Sequence, residues 1–428
     1  MRIGVRLTPD LAHGALVDGG ALVAAGSGAP DELPARLAGG RRVDTVTWDV
    51  SAVLDASLGS VTGRVAAVRV LPGVTRAAAL DGHPSALVRA LVGWRARVTG
   101  GHDLFGAELA PLDLDAGRAA ELAAAGGLDT LAITATGAVG RADHEREVAA
   151  RVLARRPGLR LCLSCEVGGP GLLEREAATV LNAALLDVAD ELVDRCAAAT
   201  AALPGEVTCG FVTGEGGRVS AERLRSLPVL GLGAGDAARL SGAAVLGGAA
   251  DAAVVLVGRE EIAVGHVRDG LPRVEPDLAG PHGVRLAAPR PALTGWPAGA
   301  VAAVAADLAG HEPQRAVVVV PDDAEDVAAG LLAGGGWTPV VVRPAADPGA
   351  VGAACARAGA WLDVVATAET ADELDRLRER VRQRALTVVA TSGAAPGEEA
   401  RVVESTARPV AYLRSGVYRL HVRATGAS

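Results

Sequence analysis

Lysine is missing from this chain, so arginine supplies every fixed positive side chain. We read that as a genomic bias and not as a binding device. Net charge is −8, the pI is about 5.6 and no basic cluster stands out, which argues against a nucleic-acid partner. Aromatic residues make up only 2% of the sequence, against 50% apolar residues overall. A core is therefore affordable, but Ala, Val and Leu must build it. The five cysteines are odd in number, which argues against a disulfide framework. Cys162 and Cys165 form a lone CxxC with no second pair and no nearby His, so a four-ligand zinc site is not expected. The uncharged runs Pro291–Ala306 and Val327–Val342 are broken by Gly and too short to cross a bilayer. The opening MRIGVRL starts a strand and shows no charged-then-apolar leader pattern, so a cytoplasmic protein without a membrane segment is expected.

Asparagine is nearly missing too. The one copy, Asn182, lies in Leu161–Leu186, LCLSCEVGGPGLLEREAATVLNAALL. That stretch begins as an apolar strand and breaks at Gly168-Gly169-Pro170-Gly171. It then reads as a helix with Leu172, Leu173, Ala177, Val180, Leu181, Ala184 and Leu185 on one face. An amide in mid-helix competes with the backbone, so Asn182 is either a structural hydrogen bond or a ligand contact.

Residues 3–25 read as strand, turn, strand, Asp18-Gly19-Gly20 hairpin turn and strand. Residues 251–275 repeat that plan, which marks an internal duplication. The length suits two domains, drawn here at 1–203 and 204–428.

Ser164-Cys165-Glu166, the glycine turn, Glu174-Arg175-Glu176 and Thr179-Val-Leu-Asn-Ala together resemble the signature of the hydantoinase A/oxoprolinase family. The resemblance extends to Gly100-Gly101-His102-Asp103, His144-Glu145, Phe211–Gly248, Val351–Ala354 and Arg408–Ala424. A stretch between Pro272 and Ala316, where the family places a Gly-Gly-Gly-Ser loop, is missing, and Cys165 stands where the family usually has His. The resemblance implies an α/β, duplicated actin/sugar-kinase-like (ribonuclease-H-like) two-lobed fold, with ATP and magnesium between the lobes. It implies ATP-driven opening of cyclic amides such as hydantoins or 5-oxoproline, commonly with a second, hydantoinase B-like subunit. It nominates His102, Asp103, Glu174, Glu176 and Asn182 as catalytic candidates; the best surviving cofactor-binding turn is Gly231-x-Gly233-x-Gly235, read between a Pro228-Val-Leu strand and a helix start whose amides can hold an anion. No metal site of the protein's own is expected.

The residues themselves speak against ordinary ATP use. A triphosphate needs glycine-rich hairpin tips whose amides it can approach. The first tip is Leu7-Thr8-Pro9-Asp10, and Pro9 has no N–H to offer. The second, Gly258-Arg259-Glu260-Glu261, brings carboxylates, each like-charge contact costing roughly 4 kcal/mol at ~4 Å and an effective dielectric of ~20. A third loop after Val317–Val320 reads Pro321-Asp322-Asp323. Gly334-Gly335-Gly336 comes one helix later and reads as a helix C-terminal turn. Asp236 is expected to cap the helix after Gly235, and Asp143 the helix carrying His144. Three readings of function follow: an ATP-dependent amidohydrolase, a non-catalytic partner or regulatory subunit, or a nucleotide-independent small-molecule binder.

Overall fold

The computed structural model describes residues 1–73, 82–275, 283–309, 315–334, 339–392, 399–410 and 416–426. The Gly334-Gly335-Gly336 turn falls largely outside these. Strands β1 (Arg2–Leu7), β2 (Ala12–Asp18) and β3 (Ala21–Gly28) form an antiparallel meander. Gly19 and Gly20 close the second turn with φ of 55° and 88°, values that a side chain would resist. On the other flank of β1, strand β4 (Thr45–Asp49) pairs in parallel. Strands β5 (Val65–Leu71), β6 (Val92–Thr99), β7 (Thr130–Ala135) and β8 (Arg160–Leu163) form a separate parallel sheet, in the order β6-β5-β7-β8. The chain then returns to the first sheet with β9 (Thr208–Val212) and β10 (Arg218–Ser220), giving the order β10-β9-β4-β1-β2-β3.

The second half repeats the first. Strands β11 (Ala252–Val257), β12 (Glu261–Arg268) and β13 (Leu271–Pro272) form the second meander. Its last turn, Asp269-Gly270, again has positive φ at both residues. A two-residue ribbon, β14 (Val274–Glu275) with β15 (Arg290–Pro291), follows, and β16 (Leu293–Pro297) pairs with β12. Strands β17 (Arg315–Val319) and β18 (Val340–Val342) continue in parallel from β11. The path β18-β17-β11-β12-β13 has the connectivity of β9-β4-β1-β2-β3, so the duplication expected from the two hairpin motifs is real at the level of whole sheets. A terminal unit of β19 (Gly359–Thr367), β20 (Ala400–Pro409) and β21 (Val417–Gly426), ordered β19-β21-β20, carries the helix Ala371–Thr391 on one face.

Strands β9 and β10, which complete the first sheet, lie beyond the 203/204 division drawn from the sequence.

The helix after the glycine turn is Leu172–Ala201, 30 residues long. A single apolar face was expected, but its first half is buried nearly all round, Arg175, Glu176, Thr179 and Asn182 included. The reason is that it runs between the first sheet and the β5–β8 sheet, packing against β5, β7, β8 and β9. Pro228–Leu246 is apolar and long enough to pass for a membrane span, yet 67% of it is buried inside the protein. Its helical part, Ala234–Leu246, packs against the helix Pro348–Cys355 between the two duplicated sheets. Both helices use glycine where they touch. A β-carbon on Gly242 would overlap the Pro348 carbonyl oxygen, and one on Gly352 the Ala238 carbonyl oxygen.

Candidate functional site

The three loops that the resemblance assigns to nucleotide are bonded to themselves or to each other. At the first tip, Thr8 N–H donates to the Leu11 carbonyl at 2.9 Å, and the Thr8 hydroxyl donates to the same oxygen at 2.8 Å. At the second, Gly258 N–H donates to the Glu261 carbonyl at 2.9 Å. Arg259 reaches across to the third loop and pairs with Asp323 at 3.1 Å. Glu261 departs from expectation: its carboxylate lies over Gly295 of β16 and not at the tip.

Beside the first tip, Arg6 of β1 projects toward the N-terminus of the Pro348–Cys355 helix. Its Nη1 donates to Asp347 Oδ2 at 2.9 Å, while Asp347 Oδ1 caps that helix by accepting from Ala350 N–H at 2.9 Å. Arg6 Nε stands 3.9 Å from Asp49, the fully buried last residue of β4. Asp49 Oδ1 accepts from Ser51 N–H at 3.0 Å and from the Ser51 hydroxyl at 2.7 Å. Its Oδ2 has no hydrogen-bond partner among the described residues. Burial raises the Asp49 pKa above the usual carboxylate range, with the Ser51 bonds and Arg6 working against that rise. One guanidinium thus faces two carboxylates from opposite halves of the sequence.

The glycine turn chosen as a cradle serves protein packing. Pro228–Gly231 is a 3-10 turn and not a strand, and a β-carbon on Gly231 would press on Leu54. Gly233, at φ 76°, is the N-cap of the Ala234–Leu246 helix and abuts the Arg290 guanidinium; Gly235 abuts the Ser51 hydroxyl. Asp236 does not cap the helix as expected. It lies in the first turn, 3.8 Å from Arg239.

A second polar assembly lies where the β5–β8 sheet meets the long helix. Gly101 N–H donates to His144 Nδ1 at 2.7 Å, which puts the His144 proton on Nε2, facing Glu108 at 3.4 Å. The His102 ring lies against His144 with centroids 4.2 Å apart and the planes tilted by 42°. His102 is buried, its Nδ1 lacks a partner among the described residues, and that burial is the main cause depressing its pKa. Asp103 turns the other way: its Oδ1 accepts from Phe105 N–H and Ala107 N–H, both at 2.8 Å, and shapes the loop. Asp143 is in the first helical turn, after an N-cap at Ala142, and its side chain pairs with Arg141.

Behind the histidines, Glu145 is fully buried. It accepts from Ala135 N–H at 2.7 Å, from Cys165 N–H at 2.9 Å and from the Ser164 hydroxyl. Arg175 donates to Ser164 Oγ and to the carbonyls of Ala135, Gly169 and Pro170. Strand β7, the glycine turn and three helices (Asp143–Leu153, Ser164–Val167 and Leu172–Ala201) are tied together by this one network. Cys165 beside it has its pKa pushed up to about 12 by burial and by Glu145, and burial takes Cys162 to about 11, so neither is a ready thiolate. No group of three or more metal-ligating side chains occurs among the described residues.

The catalytic candidates are not gathered at one centre. Glu176 forms a two-pronged ion pair with Arg69 of β5, at 2.7 and 2.8 Å. Glu174 is half-buried and folds back over Gly171. Asn182 is bonded within the protein: its amide donates to the Ser226 carbonyl at 3.1 Å and to Cys162 Sγ at 3.3 Å, and its oxygen accepts from Val229 N–H at 3.2 Å. Sequence reasoning passed over Arg6, Asp49 and Asp347, and met Glu145 and Arg175 only inside the motifs that carry the resemblance. A charged residue inside an otherwise apolar strand, as Arg6 is in RIGVRL, was the available signal.

No protein-family model and no curated protein sequence matches the chain. Solved structures do. ATP-dependent caprolactamase from Pseudomonas jessenii superposes with a TM-score of 0.76 at 14% identity, covering 100% of this chain and 87% of that one. Nucleotide-free acetone carboxylase does so with a TM-score of 0.61 at 13% identity, covering 100% and 88%. At such identity the likeness establishes the fold: the duplicated, two-lobed α/β architecture of the actin-like kind. It is the fold that the sequence resemblance implies.

Proposed function

We propose that this chain is a diverged relative of the hydantoinase/oxoprolinase enzymes that keeps their fold and has given up ordinary ATP use. In this reading it serves in the cytoplasm as a non-catalytic partner or regulatory subunit, with a hydantoinase B-like chain as its expected companion. The lineage is supported by the motifs around Glu174 and by the fold shared with two enzymes described as ATP-dependent or nucleotide-using. The parent activity would be ATP-driven cleavage of a cyclic amide.

The observation that carries the loss is Arg6 between Asp347 and Asp49. A magnesium nucleotide brings its own cation, which needs carboxylate or water oxygens. Here a guanidinium, which does not deprotonate, already holds Asp347 and neighbours Asp49. The helix N-terminus beside this group, the kind of place a phosphate binds, is capped by Asp347 itself. Pro9 removes one donor, and the Arg259–Asp323 pair joins the other two loops. These residues do not fit the nucleotide.

One observation favours a second reading. The unpartnered Asp49 Oδ2 leaves an unmet polar atom beside Arg6, which suits a small uncharged ligand held without nucleotide. Thermal unfolding distinguishes the readings. A ligand at 100 times its dissociation constant adds about 2.7 kcal/mol, a readily visible shift. Magnesium with ATP is expected to leave the transition unmoved, and a shift accompanied by phosphate release overturns the proposal. A shift with hydantoin or 5-oxoproline alone supports the small-molecule reading instead.

A further inference from the structure

A serine or threonine inside a helix commonly returns its hydroxyl to the carbonyl four residues back. Ser57, Thr179, Thr200, Ser226, Thr387 and Thr391 all do so here, at 2.6–3.1 Å. Ser241, in the helix Ala234–Leu246, does not. It is only 7% exposed, and its hydroxyl has no partner among the described residues. A buried hydroxyl left unmet costs free energy, so what surrounds it is informative.

Ser241 lines a cavity of about 100 Å³. Separate pieces of the chain meet there. Cys355 and Arg357 come from the end of the Pro348–Cys355 helix, and Asp269 from the turn between β12 and β13. Arg401 of β20 and Thr425 of β21, which face each other in register, close another side. The space holds several waters or one small ion. Its charge is uneven: two arginines line it against one carboxylate, Asp269, which is exposed. Arg401 makes no ion pair among the described residues. The Cys355 thiol feels the charges of Arg2 and Arg357, which oppose the rise in pKa that burial causes.

We propose that this cavity is a binding site for a small oxyanion, a carboxylate or a phosphate, held by the Ser241 hydroxyl and the Arg357 and Arg401 guanidiniums. The Ser241 O–H supplies a donor that its own helix leaves unused. Guanidinium forks match the paired oxygens of such ions. Bound there, the ion joins the terminal β19–β21 unit to the two helices that lie between the duplicated sheets. The cavity adjoins the far end of β12 from the Gly258–Glu261 tip. It is therefore independent of whether Arg6 excludes a nucleotide.

Thermal unfolding of the full chain in sodium phosphate, sodium acetate and sodium chloride at matched ionic strength tests it. Phosphate or acetate is expected to raise the midpoint above that in chloride, and the ion that does so identifies the class. Ser241→Ala and Arg401→Gln are each expected to weaken that anion dependence about tenfold, the worth of one hydrogen bond to a charged group. In chloride, Ser241→Ala should unfold no earlier than wild type, because it removes an unmet hydroxyl. General salting-out by phosphate moves wild type and variants alike, so the difference between them reads the site. No shift beyond chloride, a shift that both variants keep in full, or a Ser241→Ala chain destabilised in chloride overturns the proposal.

Discussion

Two buried polar assemblies in this molecule differ in how completely they are satisfied. In the Glu145–Ser164–Arg175 network, three described bonds reach the Glu145 carboxylate, and Arg175 spends its donors on three carbonyls and a hydroxyl. In the Arg6–Asp49–Asp347 group, Arg6 is part-exposed, Asp49 Oδ2 is unmet, and the Arg6–Asp49 approach is only 3.9 Å. The first has the character of a scaffold joint. The second is a plug, one guanidinium set between two carboxylates, with one carboxylate oxygen left unmet.

Breaking the joint has the largest expected effect. Arg175→Met keeps the side chain's bulk but leaves Glu145 buried with its charge unbalanced, at a cost of about 3–5 kcal/mol. Urea unfolding should show a midpoint far below wild type, with the slope retained. An effect as small as that of a surface ion pair would show that Glu145 is neutral or solvated and would erase the distinction.

The plug should respond less to charge than to packing. Arg6→Ala removes a part-exposed pair and is expected to cost about 1 kcal/mol or less. Gly242→Ala, by contrast, drives a β-carbon into the Pro348 carbonyl and must separate the helix that Asp347 caps, for about 1–3 kcal/mol. If Arg6→Ala proves the more damaging of the two in the same denaturation series, the ion pair is structural and the comparison fails.

How much of this could be read in the sequence depended on range. The duplicated meanders were legible because Gly19-Gly20 and the Asp269-Gly270 turn are local signals flanked by alternating apolar residues. The closing of the first sheet was not legible, because β9 pairs with β4, Thr208 opposite Thr45, and no local pattern records so distant a pairing. Asn182 was visible as an oddity, but its partners Ser226 and Val229 lie 44 and 47 residues away. The glycines at 231, 233 and 235 have the spacing of a phosphate turn. Only coordinates show that Leu54, Arg290 and Ser51 occupy the room they create. The same holds for Arg6, whose partner Asp347 is 341 residues distant.

The histidine pair sits between these extremes and gives the smallest expected effect. Glu108, Arg141 and Asp143 surround it, but His102 keeps one buried nitrogen without a partner. Its folded pKa is depressed below the ordinary 6.5, so the unfolded chain takes up the proton more readily. His102 therefore contributes stability that is fully present above pH 6.5 and is lost as the pH falls toward its folded pKa. His83, also depressed chiefly by burial, contributes with the same sign. Replacing His102 with Gln should flatten the acid side of the stability–pH curve below pH 6.5 without levelling it, because His83 remains. An unchanged slope in His102→Gln would mean that the ring reaches solvent or a proton donor, and that this assembly belongs with the satisfied joint behind it.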